Sequence, residues 1–433
     1  MIALTGGTVV ESWAGGDVRP DTTVLVDDSG IVALGARVPP QGAQIIDCEG
    51  CLVAPGLVCA HTHAYHALAR GMPGPADPTT SFQEILEKIW WRLDRTLDPA
   101  SISSSGRVTA IEALLSGTTT IFDHHASPSS IDGSLGLLAA AFGQAGLRAA
   151  LCYEVTDRHG RPGRDAGLRE SERFLRKLAE PGASTLLRGM VGAHAGFTLT
   201  AEALEACADL ARRLGTGVHL SVAEDPLDRE HDDQPIVQRL DALGVLSERA
   251  VVAHAVHVDE VGAGLLRRRR CFVAHCPRSN MNHGVGYARP RRLGERLVLG
   301  SAGIGADLFE EARFAYFRLR EHDVDASPDD VLVWVARGAE LASELWEQRI
   351  GDIEPGAAAD LIVLDYRAPT PVTRRNLAAH FLFGLSATQV RDVVVGGRAV
   401  VRDRQVLGVD AAEAFAHARA DAESLWKRLD ALA

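Results

Sequence analysis

Apolar and polar positions change rhythm twice along this chain. Over the first fifty-odd residues, ALTGGTVVE, TTVLVDDSGIVALG and QIIDCEGCLVAPG carry β-branched residues in alternation, split by GG and SG turns. A period of two with such punctuation predicts short strands in a hairpin-rich sheet. A matching set returns near the other end in AADLIVLDY and VRDVVVGGRAVVRDRQVL, where GGR joins two Val-rich runs as a hairpin. Neither set is long enough to enclose a core. The two are expected to pair into one small composite β-sandwich built from 1–54 and 355–410.

Between them the rhythm becomes strand then helix, repeated. The apolar runs GLVCAHTH, TTTIFDHH, RAALCYEV, GMVGAHAG, GVHLSVAE, AVVAHAVH, CFVAHCPR and RLVLGSAG are each followed by a helix-like stretch, such as SFQEILEKIWWRLDRTL or TAEALEACADLARRLG. Continuous apolar strands alternating with helices indicate parallel strands buried on both faces. Eight such units close most economically into an α/β fold of the (β/α)8 TIM-type barrel, over 55–354. DAAEAFAHARADAESLWKRL predicts a final amphipathic helix in 411–433.

Composition narrows the function classes. The 433 residues are 46% hydrophobic and 24% charged, enough apolar material for a large core. Lys plus Arg is 45 against 57 Asp plus Glu, a net charge of -12 with no basic block. Nucleic acid and anionic membranes are attracted by cationic patches, so neither is an expected partner. No apolar run approaches the roughly 18 residues that span a bilayer, and MIALTGGTVVESW does not read as a signal peptide. The expected partners are a small-molecule substrate and further copies of the chain, as a homodimer or larger homo-oligomer. Seven cysteines are an odd number in apolar settings, and the lone C-x-x-C of Cys48 and Cys51 ends a strand-like run. Buried free thiols in a reducing cytoplasm are the expected reading.

Polar residues gather at the C-terminal ends of the barrel strands, where such barrels build active sites. They are His61, Thr62 and His63 on the first strand, and Asp123, His124 and His125 on the second. His194, His219 with Glu224, His254 with His257, and His275 follow on the fourth to seventh strands. Nine of the 16 histidines lie in such places. His61 and His63 are i and i+2 on a strand, so both are expected to face the barrel mouth.

The run APGLVCAHTH resembles the signature of the metal-dependent amidohydrolase superfamily, and GDIEPGAAADLIVLDY resembles its return into the small sandwich. More narrowly, HALARGMPGP, WWRLDRTLD, SGTTTIFDHHASPSSIDGSL, LCYEVTDR, HVDE, SNMN, GADLFEEARFAY and LFGLSATQVRDVVVGGR are similar to the SsnA-type aminohydrolases, relatives of chlorohydrolases and guanine deaminases. The resemblance implies one divalent metal held by H-x-H on strand 1, a His on strand 5 and an Asp on strand 8. It also implies a proton-handling Glu after strand 5 and a His on strand 6 that orients water. His61, His63, Glu224 and His254 match that pattern. Ser221 stands where the strand-5 His belongs, and Ala302 stands where the strand-8 Asp belongs.

Those departures set the functional expectation. Ala302 can neither ligate nor take a proton, and a serine hydroxyl is a poor zinc ligand beside imidazole, thiolate or carboxylate. The expected enzyme therefore keeps the pocket but abandons metal hydrolysis, with Glu224, His254, His61 and His63 as catalytic acid–base groups. A cyclisation, isomerisation or elimination is the favoured class. His125, His194, His219, His283 and Asp307 are the expected substrate-binding residues. The cofactor expectation is none, or a weakly bound zinc or iron ion on His61 and His63, the rebuilt site completed by His254 and by His219 or His283. That rebuilt site would serve a metal-dependent aminohydrolase, the second reading; a catalytically dead binding homologue is the third. His124 and His125 are equally readable as bonds across a strand end, and Asp307, Glu310 and Glu311 as favourable acids at a helix start. His257 and His275 read as packing or loop residues, and Trp90 and Trp91 as core.

Overall fold

The computed structural model describes residues 1–35, 39–231 and 234–432. The eight apolar runs form parallel strands: Leu57–Thr62, Thr118–His125, Arg148–Tyr153, a fourth broken at Met190 into Leu187–Gly189 and Val191–Ala195, then Val218–Val222, Val251–His254, Phe272–His275 and Leu297–Leu299. Within them only Arg188, His194 and Ser221 escape full burial. Burial on both faces is why these segments read as unbroken apolar runs without alternation.

The strands form two hydrogen-bonded arcs, one ending and one beginning in the broken fourth strand. Parallel bridges Val155↔Ala193 and Thr62↔Ala302 bring the arcs together, and Ser301 N donates to His61 O at 2.8 Å. The ring is a (β/α)8 barrel. Its closing seam requires glycine at 300, where a Cβ would lie 2.8 Å from His61 Cβ and 3.0 Å from its backbone. The helices wrap the outside by ordinary amphipathic logic. In Ala201–Arg213, the Thr200 side chain caps Ala203 N, and Ala203, Leu204, Cys207, Ala208 and Ala211 make the buried stripe.

Strands from both chain ends join in one nine-stranded sheet. Leu361–Leu364 pairs antiparallel with Leu52–Pro55, which itself lies parallel to Ile2–Val10. The GGR hairpin is present: Gly396 and Gly397 have φ of 55° and 77°, the positive pair a tight two-residue turn needs. Cys48 and Cys51 lie in this sheet's own core with Ile46, Val53 and Leu361. Both thiols are free, and burial pushes Cys48 up to about 12, so neither is a thiolate near neutrality.

One buried ion pair ties sheet to barrel. Arg148, at the start of the third barrel strand, donates through Nε and Nη2 to Asp360 at 2.6 and 3.0 Å, and Gly396 N donates to the same carboxylate at 2.7 Å. The C-terminal helix Ala411–Asp430 packs on the barrel helix Pro99–Leu115, with Ser104 Oγ donating to Asp421 and Trp426 Nε1 donating to Leu68 O. Ala433 lies outside the described residues. Among the described residues no helix is long and apolar enough to cross a membrane.

Candidate active site

The barrel mouth stores backbone strain. Ala223, His254, Ala255 and Ala302, all at or just past strand ends, have φ between 47° and 69°, a left-handed region that residues with a Cβ rarely adopt. A cleft of about 890 Å³ opens there, walled by Tyr65, Phe82, Trp90, Trp91 and Phe197 and carrying His63, His66, Glu154, His194, Glu224, His254 and His283.

The first polar group surrounds Glu224. His283 Nδ1 donates to Glu224 Oε1 at 3.1 Å, and Trp90 Nε1 donates to His283 Nε2 at 3.3 Å. Trp90 in turn stacks on His66, with ring centroids 4.0 Å apart. His254 Nδ1 donates to Asn280 Oδ1 at 2.8 Å, which leaves its Nε2 lone pair facing Glu224 Oε2 across 3.5 Å. Burial alone pushes the Glu224 carboxyl up, but His254 and His283 outweigh it and hold it down at about 2. Burial also lowers His254. Glu224 Oε2 and His254 Nε2 thus face one another across a gap that a single proton can bridge.

The second group surrounds Glu154, which follows the third strand. Its Oε1 lies 3.1 Å from His124 Nδ1 and 3.3 Å from His63 Nδ1, and its Oε2 lies 3.8 Å from His194 Nε2. Burial raises this carboxyl, yet His124, His63 and His194 together keep it well below the usual range. Near the mouth, Arg158 Nη2 donates to Asp94 Oδ2 at 3.0 Å, with its guanidinium 4.7 Å from the Trp91 ring centre.

The expected residues divide accordingly. His63, His194, Glu224, His254 and His283 line the cleft. His61 does not: it is fully buried beneath, with Nδ1 2.8 Å from His219 Nε2, so H-x-H does not present two rings to the cleft. His63 has already left the strand, which ends at Thr62. His219 sits one pleat below Ser221 and meets His61, not substrate space. His125 points away, its Nε2 bonded to Ser127 Oγ at 3.0 Å. Asp307 caps the helix Leu308–His322, accepting from Phe309 N and Glu310 N at 3.0 and 3.1 Å. Trp90 and Trp91 pack half-buried against the core and also wall the cleft. His66, Asp94, Glu154 and Arg158 went unrecognised in the sequence. An acid directly after a buried barrel strand was the available signal for Glu154.

The metal positions implied by the sequence resemblance do not assemble. Ser221 and Ala302 do face the cleft, but a methyl group offers no donor and a hydroxyl a poor one. The rebuilt set does not form either: His219 is engaged with His61, and His283 with Glu224. Among the described residues, the donor atoms that converge within 4.8 Å belong to His63, His124 and Glu154.

Comparison with known proteins adds a second line. The amidohydrolase family profile matches residues 52–400. The 5-methylthioadenosine/S-adenosylhomocysteine deaminase of Pelotomaculum thermopropionicum is 32% identical, over 99% of this chain and 99% of its own. The 5'-deoxyadenosine deaminase of Methanopyrus kandleri is 28% identical, over 98% of this chain and 99% of its own. Among solved structures, a zinc-bound adenosine deaminase from Xanthomonas campestris superposes with a TM-score of 0.85 at 23% identity, covering 100% of this chain and 99% of its own. The zinc complex of atrazine chlorohydrolase from Arthrobacter aurescens TC1 superposes at 0.83 with 21% identity, over 98% and 100%.

These relatives overturn the expectation of a non-hydrolytic reaction. Proteins similar from end to end are named for deamination, in which water replaces an amine. The absence of a donor at positions 221 and 302 does not by itself mean the loss of hydrolysis.

Proposed function

The chain belongs to the amidohydrolase family, and on that footing we propose that it removes an exocyclic amine from a flat, nitrogen-rich ring by hydrolysis. Adenine nucleosides modified at the 5' position are the first candidates, since the full-length relatives are named for them.

The single observation that carries this reading is the Glu224–His254 pair in an aromatic cleft. A heteroaromatic ring gains stacking contacts along Trp90, Trp91 and Phe197. Water beside the pair gives a proton to the site between Glu224 Oε2 and His254 Nε2 as its oxygen bonds to the ring carbon carrying the amine. The same proton then passes to the leaving nitrogen, the C–N bond breaks, and ammonia departs from a ring carbon that now bears oxygen. His283, held by Trp90, keeps Glu224 in place with one carboxylate oxygen, leaving the other for the proton. The free thiols support a cytoplasmic setting. Phe317 and Phe383, 55% and 58% exposed, support self-association.

The purified enzyme is tested by ammonia release from adenosine, 5'-deoxyadenosine, 5'-methylthioadenosine and amino-triazines. Turnover of one ring class supports the reading; a folded protein that releases ammonia from none of them counts against it. Trp90→Ala is expected to raise KM about tenfold, the worth of one good aromatic stack, with a smaller fall in kcat because His283 loses its indole donor. An unchanged KM would remove Trp90 from the substrate wall.

A further inference from the structure

We propose that this chain holds a divalent metal ion on His124, Glu154 and His63, across the first three barrel strands, instead of at the barrel positions occupied by Ser221 and Ala302. The inference goes beyond the deaminase reading and does not depend on which ring is the substrate.

The hydrogen-bond directions around Glu154 carry it. His124 Nε2 is 3.1 Å from His219 O, and a carbonyl oxygen only accepts, so the ring proton sits there and Nδ1 keeps its lone pair. Thr198 Oγ1 donates to Ala195 O at 3.0 Å and therefore accepts from His194 Nδ1 at 2.8 Å, which leaves the lone pair on His194 Nε2. Both lone pairs face the Glu154 carboxyl group, His124 Nδ1 at 3.1 Å and His194 Nε2 at 3.8 Å. Two imidazole lone pairs and a carboxyl group thus converge beside His63 Nδ1, and His124 Nδ1, in a fully buried ring, makes no hydrogen bond. A cation resolves that arrangement.

The spacing suits zinc. Donors about 2.0–2.1 Å from a tetrahedral ion lie roughly 3.3 Å from one another, and Glu154 Oε1 is 3.1 Å from His124 Nδ1 and 3.3 Å from His63 Nδ1. His124 also has the outer support typical of a metal-bound imidazole, its second nitrogen tied to a backbone carbonyl. His63 is the adaptable member: its Nδ1 donates to His124 O at 2.7 Å, a bond it must release to ligate. Strand pairing fixes the other two, since His124 lies beside Cys152 in the ladder that ends just before Glu154. His63 and Glu154 line the cleft, so one side of the ion would face substrate space.

The test reads metal, not turnover. Chelator-stripped enzyme is loaded with Zn2+, desalted and analysed for zinc. Wild type is expected to retain about one equivalent. His124→Ala and Glu154→Gln should each weaken zinc affinity at least a hundredfold, while His61→Ala and Ser221→Ala retain it. Anomalous scattering from zinc-loaded wild-type crystals decides the matter even if a variant fails to fold. A peak between His124 and Glu154 supports the site. A peak at His61 and His63 beside Ser221 overturns it, as does a wild type that retains no zinc or a Glu154→Gln variant that binds it undiminished. Ammonia release is unused here, so failure of this site and failure of the deaminase reading are separable.

Discussion

Glu224→Gln is expected to cut ammonia release about a thousandfold, in the range a well-placed acid–base group contributes, with the fold intact. The amide keeps the volume of the carboxyl, and its oxygen can still accept from His283 Nδ1, so the network through His283 to Trp90 survives. What it loses is the charge that makes the place opposite His254 Nε2 attractive to a proton. Burial leaves the imidazole a weak base, its pKa lowered, and without the neighbouring carboxylate it cannot take a proton from water efficiently. Because Glu224 is held at about 2, it is ionised throughout the working pH range, and the loss should be the same at pH 6 and pH 8. Steady-state kinetics beside a thermal melt check this. A variant within tenfold of wild type would show that Glu224 carries no proton.

The second large effect concerns stability. Arg148→Met should cost about 3–5 kcal/mol, the usual result of removing one partner from a buried ion pair. The Asp360 side chain is 1% exposed and would keep only the Gly396 amide as a donor. The methionine fills the space but offers no proton. The loss falls on the junction between the terminal sheet and the third barrel strand, so the sheet should loosen first. Urea unfolding followed by tryptophan fluorescence measures it; a change below 1 kcal/mol would mean water reaches Asp360. Replacing both partners by apolar residues should recover part of the loss, since no lone charge is then buried.

The barrel was legible because strands buried on both faces leave unbroken apolar runs, and the pairing of the chain ends because each carried an orphan β pattern. The site was legible only in part. Strand ends named the right neighbourhood, but alternation sends His124 inward and His125 outward, and treating both as strand-end candidates blurred that difference. Trp90 and Trp91 read as core because their segment has helical spacing. A π-turn over Leu86–Trp90 resets the helix register there and swings both rings to the cleft. Asp307 shows the opposite failure: a cap at a helix start and a ligand for substrate look identical in one dimension. Glu154 stands alone in LCYEVTDR, its histidine neighbours coming from two other strands, whereas the altered metal positions Ser221 and Ala302 stand out within known motifs. Reading those two substitutions as loss of hydrolysis assumed that a metal or base can occupy only one place in this mouth.

Oxygen labelling tests hydrolytic deamination most directly. Purified enzyme is incubated with the amino-substituted ring that gives the most ammonia, in water enriched in 18O, and product and ammonia are quantified together. Hydrolysis at the amine-bearing carbon predicts one labelled oxygen per product and one ammonia per turnover. A product isomeric with its substrate, or one formed without ammonia and without label, would contradict it.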